Sequence, residues 1–253
     1  MEFDPANNPL KMAQISAVVS SRLDGSSFIH KVEHPDAQIY LYPDFLSTIV
    51  CEQLMALIDA DAEPSKVYDP GVDNQQEGFR TSYSCYFKQF DPIITKIETR
   101  LNNVMGIPSS YAESMQGQRY LVGQQFKPHQ DFFHTDQDYW EKERDSGGQR
   151  TWTAMIFLNE PEQGGHTDFP TLGFSIKPQV GMLLMWNNMK LDGTPNYCTL
   201  HAGMPVLEGA KYIITNKAVD DLNKIWDHTY EVMSENQADK NYNKLLDVCQ
   251  TLA

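Results

Sequence analysis

The chain has 253 residues, 41% of them hydrophobic and 11% aromatic, which suits one sizeable folded core and excludes a disordered chain. Its formal net charge of −14 repels a phosphate backbone, so nucleic acid is excluded as a partner, and what remains is a solvated acidic surface that tolerates basic peptides. Four scattered cysteines (Cys51, Cys85, Cys198, Cys249) exclude a disulfide framework and a paired-cysteine zinc site, and imply free thiols in a reducing cytoplasm.

Residues 1–36 read as an N-terminal extension. They lack the basic start and apolar run of a signal peptide, and MAQISAVVSSRL within them has a mixed, helix-compatible pattern. No apolar run anywhere approaches the ~20 residues of a membrane span, so no membrane association is expected. The main domain is expected to run from 37 to 219. It opens with a strand at 38–42, ended by Pro43 and Asp44. In FLSTIVCEQLMALIDA, the residues Phe45, Ile49, Leu54, Leu57 and Ile58 fall near helical spacing, with Ser47 as the cap. Residues 61–79 are rich in Asp, Pro, Gly, Asn and Gln and read as a loop, and 80–87 alternate like a strand. A second helix follows at 91–107, with Asp91 as cap, Pro92 at the first helical position and Ile93, Ile94, Ile97, Leu101 and Val104 on one face.

From about residue 110 the texture changes. Short strands separated by turn residues appear in SMQGQRYLV, FKPHQDFF, RTWTAMIFLN, GHTDFP, FSIKP, GMLLMW, TLHAGMPV and AKYIITNKAV. Strands of this length and spacing predict an antiparallel barrel or jelly roll, hence a mainly β, α+β fold backed by the N-terminal helices. Residues 187–200 and 61–79 are long loops of the kind that border active sites, and 65–79 are expected to order over a bound peptide. Residues 220–253 read as a helical tail, and no internal repeat is present.

The chemistry is concentrated in three segments. His129 and Asp131 stand two apart in KPHQDFF, a spacing that puts both side chains on one face of a strand. His201 follows in TLHAGMP. Two imidazoles and a carboxylate on one side of a metal leave the other side open, which suits non-haem Fe(II) with a bidentate cosubstrate and O2. Lys211 lies ten residues after His201; an antiparallel neighbour strand would carry its ammonium into the same barrel. A buried lysine needs a carboxylate, and the far end of a dicarboxylic cosubstrate is one.

On these residues the chain resembles the prolyl 4-hydroxylase family of 2-oxoglutarate oxygenases, from about Arg80 to Val219. The likeness is carried by RTS at 80–82, RYLVGQQFKPHQD at 119–131, RTWTAMIFLN at 150–159, GGHTDFP at 164–170 and HAGMPVLEGAK at 201–211. The resemblance implies a double-stranded β-helix, the cupin-like jelly roll. It implies His129, Asp131 and His201 as iron ligands. Lys211 would anchor the C5 carboxylate of 2-oxoglutarate, with Thr167 and Tyr120 in support, and Arg80, Glu113 and Arg150 would hold a peptide substrate containing proline. O2 is the oxidant and ascorbate a reductant. A carboxylate at 131, where related halogenases have a small residue, implies hydroxylation.

Phe126 stands where many members have a tyrosine, and Lys217 and Val219 where some have tryptophan and histidine. Neither departure is expected to touch the metal or the anchor. Both keep open a 2-oxoglutarate hydroxylase of another side chain or of a small molecule, and a non-catalytic binding barrel is the remaining alternative. Arg150 fits a salt bridge as well as a substrate contact. His134 and His166 read as surface or loop histidines, Trp152, Phe157, Leu184 and Trp186 as barrel core, and Met182, Met185 and Met189 as gap fillers.

Overall fold

In the computed structural model the described residues are 8–65, 78–87 and 91–219. The expected C-terminal tail and most of the loop at 61–79 lie outside them. The chain starts with helix α1 (Pro9–Asp24), where the Asn8 side chain accepts from the Leu10 N–H and Pro9 takes the first helical position. Strands β1 (His30–Val32) and β2 (Ile39–Tyr42) lead to α2 (Thr48–Asp61), β3 (Glu63–Pro64), β4 (Tyr83–Tyr86) and α3 (Pro92–Met105). As its sequence predicts, α3 is capped by Asp91, which accepts from the Ile93 N–H at 2.9 Å, and it closes on Gly106 in the left-handed region. Ser47 stands at the α2 cap position but makes no capping bond with its side chain.

The barrel follows as β5 (Gln116–Tyr120), β6 (Phe126–His129), α4 (Trp140–Ser146), β7 (Arg150–Phe157), β8 (Gln163–Gly164), β9 (Thr167–Phe169), β10 (Phe174–Ile176), β11 (Leu183–Asn187), β12 (His201–Gly203), β13 (Val206–Glu208) and β14 (Lys211–Val219). The long sheet has the order β1-β2-β11-β7-β14-β5-β4-β3, the short sheet β10-β9-β12-β6, and β8 and β13 form a separate ribbon. The eight strands expected beyond residue 110 are all present, while β1, α4 and the short strands β3, β8 and β13 lack a strong periodic signal, β3 falling at the start of the expected loop at 61–79.

Alternation along the strands sorts the two cores. Trp152, Ala154 and Ile156 of β7, Leu183 and Met185 of β11, and Ile214 and Ala218 of β14 face the helices. There they meet Val19 and Leu23 of α1, Leu54 and Ile58 of α2, and Ile97 and Leu101 of α3. The alternate set, Met155, Phe157, Leu184, Trp186 and Ile213, faces the short sheet and packs on Phe169, whose ring lies edge-on to Trp186 at 5.7 Å. The fold is a double-stranded β-helix with helices covering the outer face of the long sheet. The predicted core residues Trp152, Phe157, Leu184 and Trp186 are buried, as are Met182, Met185 and Met189. Cys51, Cys85 and Cys198 are free thiols. No helix among the described residues is long and apolar enough to cross a membrane.

Candidate active site

The antiparallel pairing of β6 with β12 sets His129 directly opposite His201, with ring centroids 4.3 Å apart. Cross-strand neighbours of this kind project from the same face, which is why two distant histidines converge. Asp131 differs from its expected placement: β6 ends at His129, and Asp131 sits in the bend that follows. The bend returns its carboxylate to the rings, with Oδ2 3.6 Å from His201 Nε2 and Oδ1 4.0 Å from His129 Nε2. One donor atom from each of the three residues lies within 4.8 Å of the others.

The ring orientations follow from their outer partners. His129 Nδ1 is 2.8 Å from the Lys127 carbonyl and His201 Nδ1 is 3.0 Å from that of Thr199. A carbonyl only accepts, so Nδ1 carries the proton and each Nε2 offers a lone pair to the centre. Burial pushes both imidazoles down, that of His129 well below its ordinary value, with His201 adding to the effect. Burial acts on Asp131 in the opposite sense, toward neutrality, but the charge of Lys217 and the two histidines outweighs it and holds the carboxyl well below the usual range. Two neutral imidazoles and one ionised carboxylate, beside an open cavity, fit an Fe(II) ion bound on one side.

That cavity has a volume of about 420 Å³ and runs between the two sheets. Lys211 lies at its inner wall and is 1% exposed. It comes from the long sheet, facing His201 across the barrel instead of from a strand beside it. Its Nζ is 3.5 Å from Thr167 Oγ1, which accepts from it, and 5.6 and 5.5 Å from the ring centres of Tyr120 and Phe157. Lys211 makes no ion pair among the described residues, and burial pushes its ammonium down to about 7. A cation desolvated without a carboxylate is a site waiting for an anion. The third predicted anchor, Tyr120, is 3% exposed and its hydroxyl donates to Gln118 Oε1 at 2.9 Å.

The predicted substrate residues line the same cavity. Arg150 donates to both oxygens of Glu113 at 2.5 and 2.9 Å while its guanidinium lies over Phe133 at 4.3 Å, so it is at once an ion-pair member and part of the wall. Arg80 lies 4.9 Å over the Phe126 ring and donates to Ser82, Ser84 and Gln116. Phe126, the departure noted above, stacks on His129 at 3.6 Å with an interplanar angle of 17°. His134 lies in the loop after Asp131 and borders the cavity.

The expectation that neither departure touches the metal site is overturned at both places: Phe126 stacks on the ligand His129, and Lys217 Nζ lies 2.5 Å from Asp131 Oδ1. Lys211 and Lys217 are six apart on one continuous strand, and an even separation turns both inward. Sequence reasoning also missed Thr153, which donates to Asp131 Oδ2 at 2.7 Å and accepts from Asn188 Nδ2 at 3.0 Å. A threonine inside an apolar strand carries no distinguishing signal before the fold is known.

Residues 115–216 match the 2OG-Fe(II) oxygenase superfamily. Over 201 residues the chain is 31% identical to probable prolyl 4-hydroxylase 3 of Arabidopsis thaliana, an alignment covering 71% of this chain and 68% of that one. It is 30% identical over 213 residues to prolyl 4-hydroxylase 2 of the same plant, covering 75% and 70%. Among solved structures, the viral collagen prolyl hydroxylase of Paramecium bursaria Chlorella virus-1, in its 2OG complex, superposes with a TM-score of 0.52 at 27% identity. That superposition covers 78% of this chain and 99% of the viral one. The chain therefore belongs to the prolyl 4-hydroxylase family of 2OG-Fe(II) oxygenases.

Proposed function

We propose that this protein hydroxylates a prolyl residue at the 4-position in a peptide or protein. In the same turnover 2-oxoglutarate and O2 are converted to succinate and CO2, one oxygen atom going to the prolyl carbon and one to succinate. The observation that carries the reading is the pairing of the His129, Asp131 and His201 donor set with an uncompensated buried ammonium at Lys211 inside one cavity. His129, Asp131 and His201 would hold the iron, whose chemistry when bound is to activate O2 for oxidative decarboxylation and C–H hydroxylation.

The chain's own residues do the rest. Thr153 and Lys217 fix the Asp131 carboxylate from its two oxygens. Lys211 and Thr167 grip the C5 carboxylate of 2-oxoglutarate, and Tyr120 closes that end. Phe157, Phe169 and Trp186 keep water from the inner cavity. Arg80, Glu113 and Arg150 border the space left for the peptide, and ascorbate serves as a reductant.

Incubation of the protein with Fe(II), 2-oxoglutarate and a library of proline-containing peptides tests this directly. Mass spectrometry is expected to find one added oxygen on proline, matched by succinate. A second reading is favoured by Phe126 and Lys217 in the cavity wall: hydroxylation of another side chain or of a small molecule. Succinate formed with a modified residue other than proline selects that reading, and tight 2-oxoglutarate binding with no succinate selects a non-catalytic barrel.

A further inference from the structure

Lys217 is a second lysine of the inner face of β14, and the reading above gives it only a share in holding Asp131. Its side chain is 21% exposed against 3% for Asp131, and both border the cavity. The charged groups facing it are Asp131, Arg150 and Glu113. Arg150 and Glu113 are satisfied by each other through two bonds, so Asp131 is the carboxylate that Lys217 pairs with. The pair is therefore an ammonium bonded to Asp131 Oδ1, a carboxylate whose other oxygen accepts from Thr153 and faces His201.

An ammonium there acts oppositely on the two ligands of the site. A divalent cation held by Asp131 is repelled by a positive charge one bond beyond the carboxylate. A cosubstrate that brings a carboxylate to the metal is attracted by the same charge. We propose that Lys217 is a positioning residue that disfavours the metal-only state of this site and favours the state holding both metal and a 2-oxoacid dianion. The proposal rests on the iron and 2-oxoglutarate reading above. Its effect is distinct from that of a merely structural lysine, whose loss would loosen Asp131 and weaken both ligands together.

The test is calorimetric titration of the full chain with Mn(II), then with 2-oxoglutarate at saturating Mn(II). Lys217→Met is expected to bind Mn(II) about tenfold more tightly, and 2-oxoglutarate about tenfold more weakly, than the unaltered chain. Lys217→Arg, which keeps the charge, is expected to match the unaltered chain in both titrations. Lys217→Gln keeps a hydrogen-bond donor without the charge and replaces Lys217→Met should that variant fail to fold. Unchanged affinities in the neutral variants, or a weakening of both, overturn the proposal while the oxygenase reading stands. Failure of the unaltered chain to bind Mn(II), or equal binding by His129→Ala, overturns both.

Discussion

Lys211 sits between two aromatic rings with a threonine hydroxyl as its hydrogen-bond partner, and its ionisation has consequences that can be measured. In the unfolded chain a lysine keeps its proton up to about 10.5, whereas in the ligand-free fold burial brings Lys211 to about 7. Between those values the unfolded state binds more protons than the folded one, so the contribution of Lys211 to stability grows as pH rises from about 7 to 10.5 and is flat below. Cosubstrate binding has the opposite dependence, because it needs the ammonium: at saturating metal, 2-oxoglutarate affinity should fall as pH rises above about 7. Lys211→Met should remove both effects, melting at a higher temperature than the unaltered ligand-free chain near pH 6 and losing 2-oxoglutarate binding. Retained cosubstrate affinity in that variant would show that the anchor lies elsewhere.

The metal ligands and the anchor were legible at this scale because their residue types and spacings are restrictive. Lys217 is equally legible by strand alternation, since a position six residues beyond Lys211 on one strand shares its inner face, although the residue type there departs from the family pattern. Thr153 was not legible, since its partner is twenty-two positions away in sequence and only the fold brings them together.

Among the elements, α3 and β7 show how far pattern alone reaches. The cap, the proline and the apolar face of α3 were all present in sequence; of the face expected, Ile94, Ile97 and Leu101 are buried, Ile93 and Val104 are partly buried at its margin, and Met105 joins the buried set. The alternation of β7 names both of its faces. The end of β6 was hidden, because Gln130 and Asp131 continue the alternation while the backbone bends away from the ladder.

Two substitutions separate scaffold from site. Ile97→Ala should cost about 2–5 kcal/mol in denaturant unfolding, since Ile97 is 3% exposed against the sheet. Gly181→Ala should destabilise as well: Gly181 has φ +75°, and a Cβ there would lie 2.0 Å from the Leu46 carbonyl oxygen, where the start of α2 is bonded to the β11 turn. Both variants, when folded, should bind 2-oxoglutarate and metal with unchanged affinity. A large loss of affinity in either would mean that the helices shape the site and do not merely support it.

Across the whole molecule the division of labour lies between the two sheets. The short sheet and the bend after it supply His129, His201 and Asp131, and the long sheet supplies Lys211, Thr153 and Lys217. The core between them, Phe169 against Trp186, sets their separation. Charge is also unevenly placed. The chain carries −14 overall, yet the cavity is lined by Arg80, Arg150, Lys211 and Lys217 against Glu113 and Asp131. A proline peptide with basic flanks should be drawn to the acidic exterior, so its KM should rise with added salt, while that of an acidic-flanked peptide should fall. Equal salt responses for the two peptides would show that the exterior charge plays no part in substrate choice.

Succinate formation, followed with Fe(II), 2-oxoglutarate, O2 and a proline-containing peptide, probes the joint action of both sheets in one reading. The unaltered chain should form succinate in step with hydroxyproline, and His129→Ala and His201→Ala should form neither. Near-normal succinate from His129→Ala, or none from the unaltered chain with any peptide, would contradict the assignment of these side chains as an iron centre.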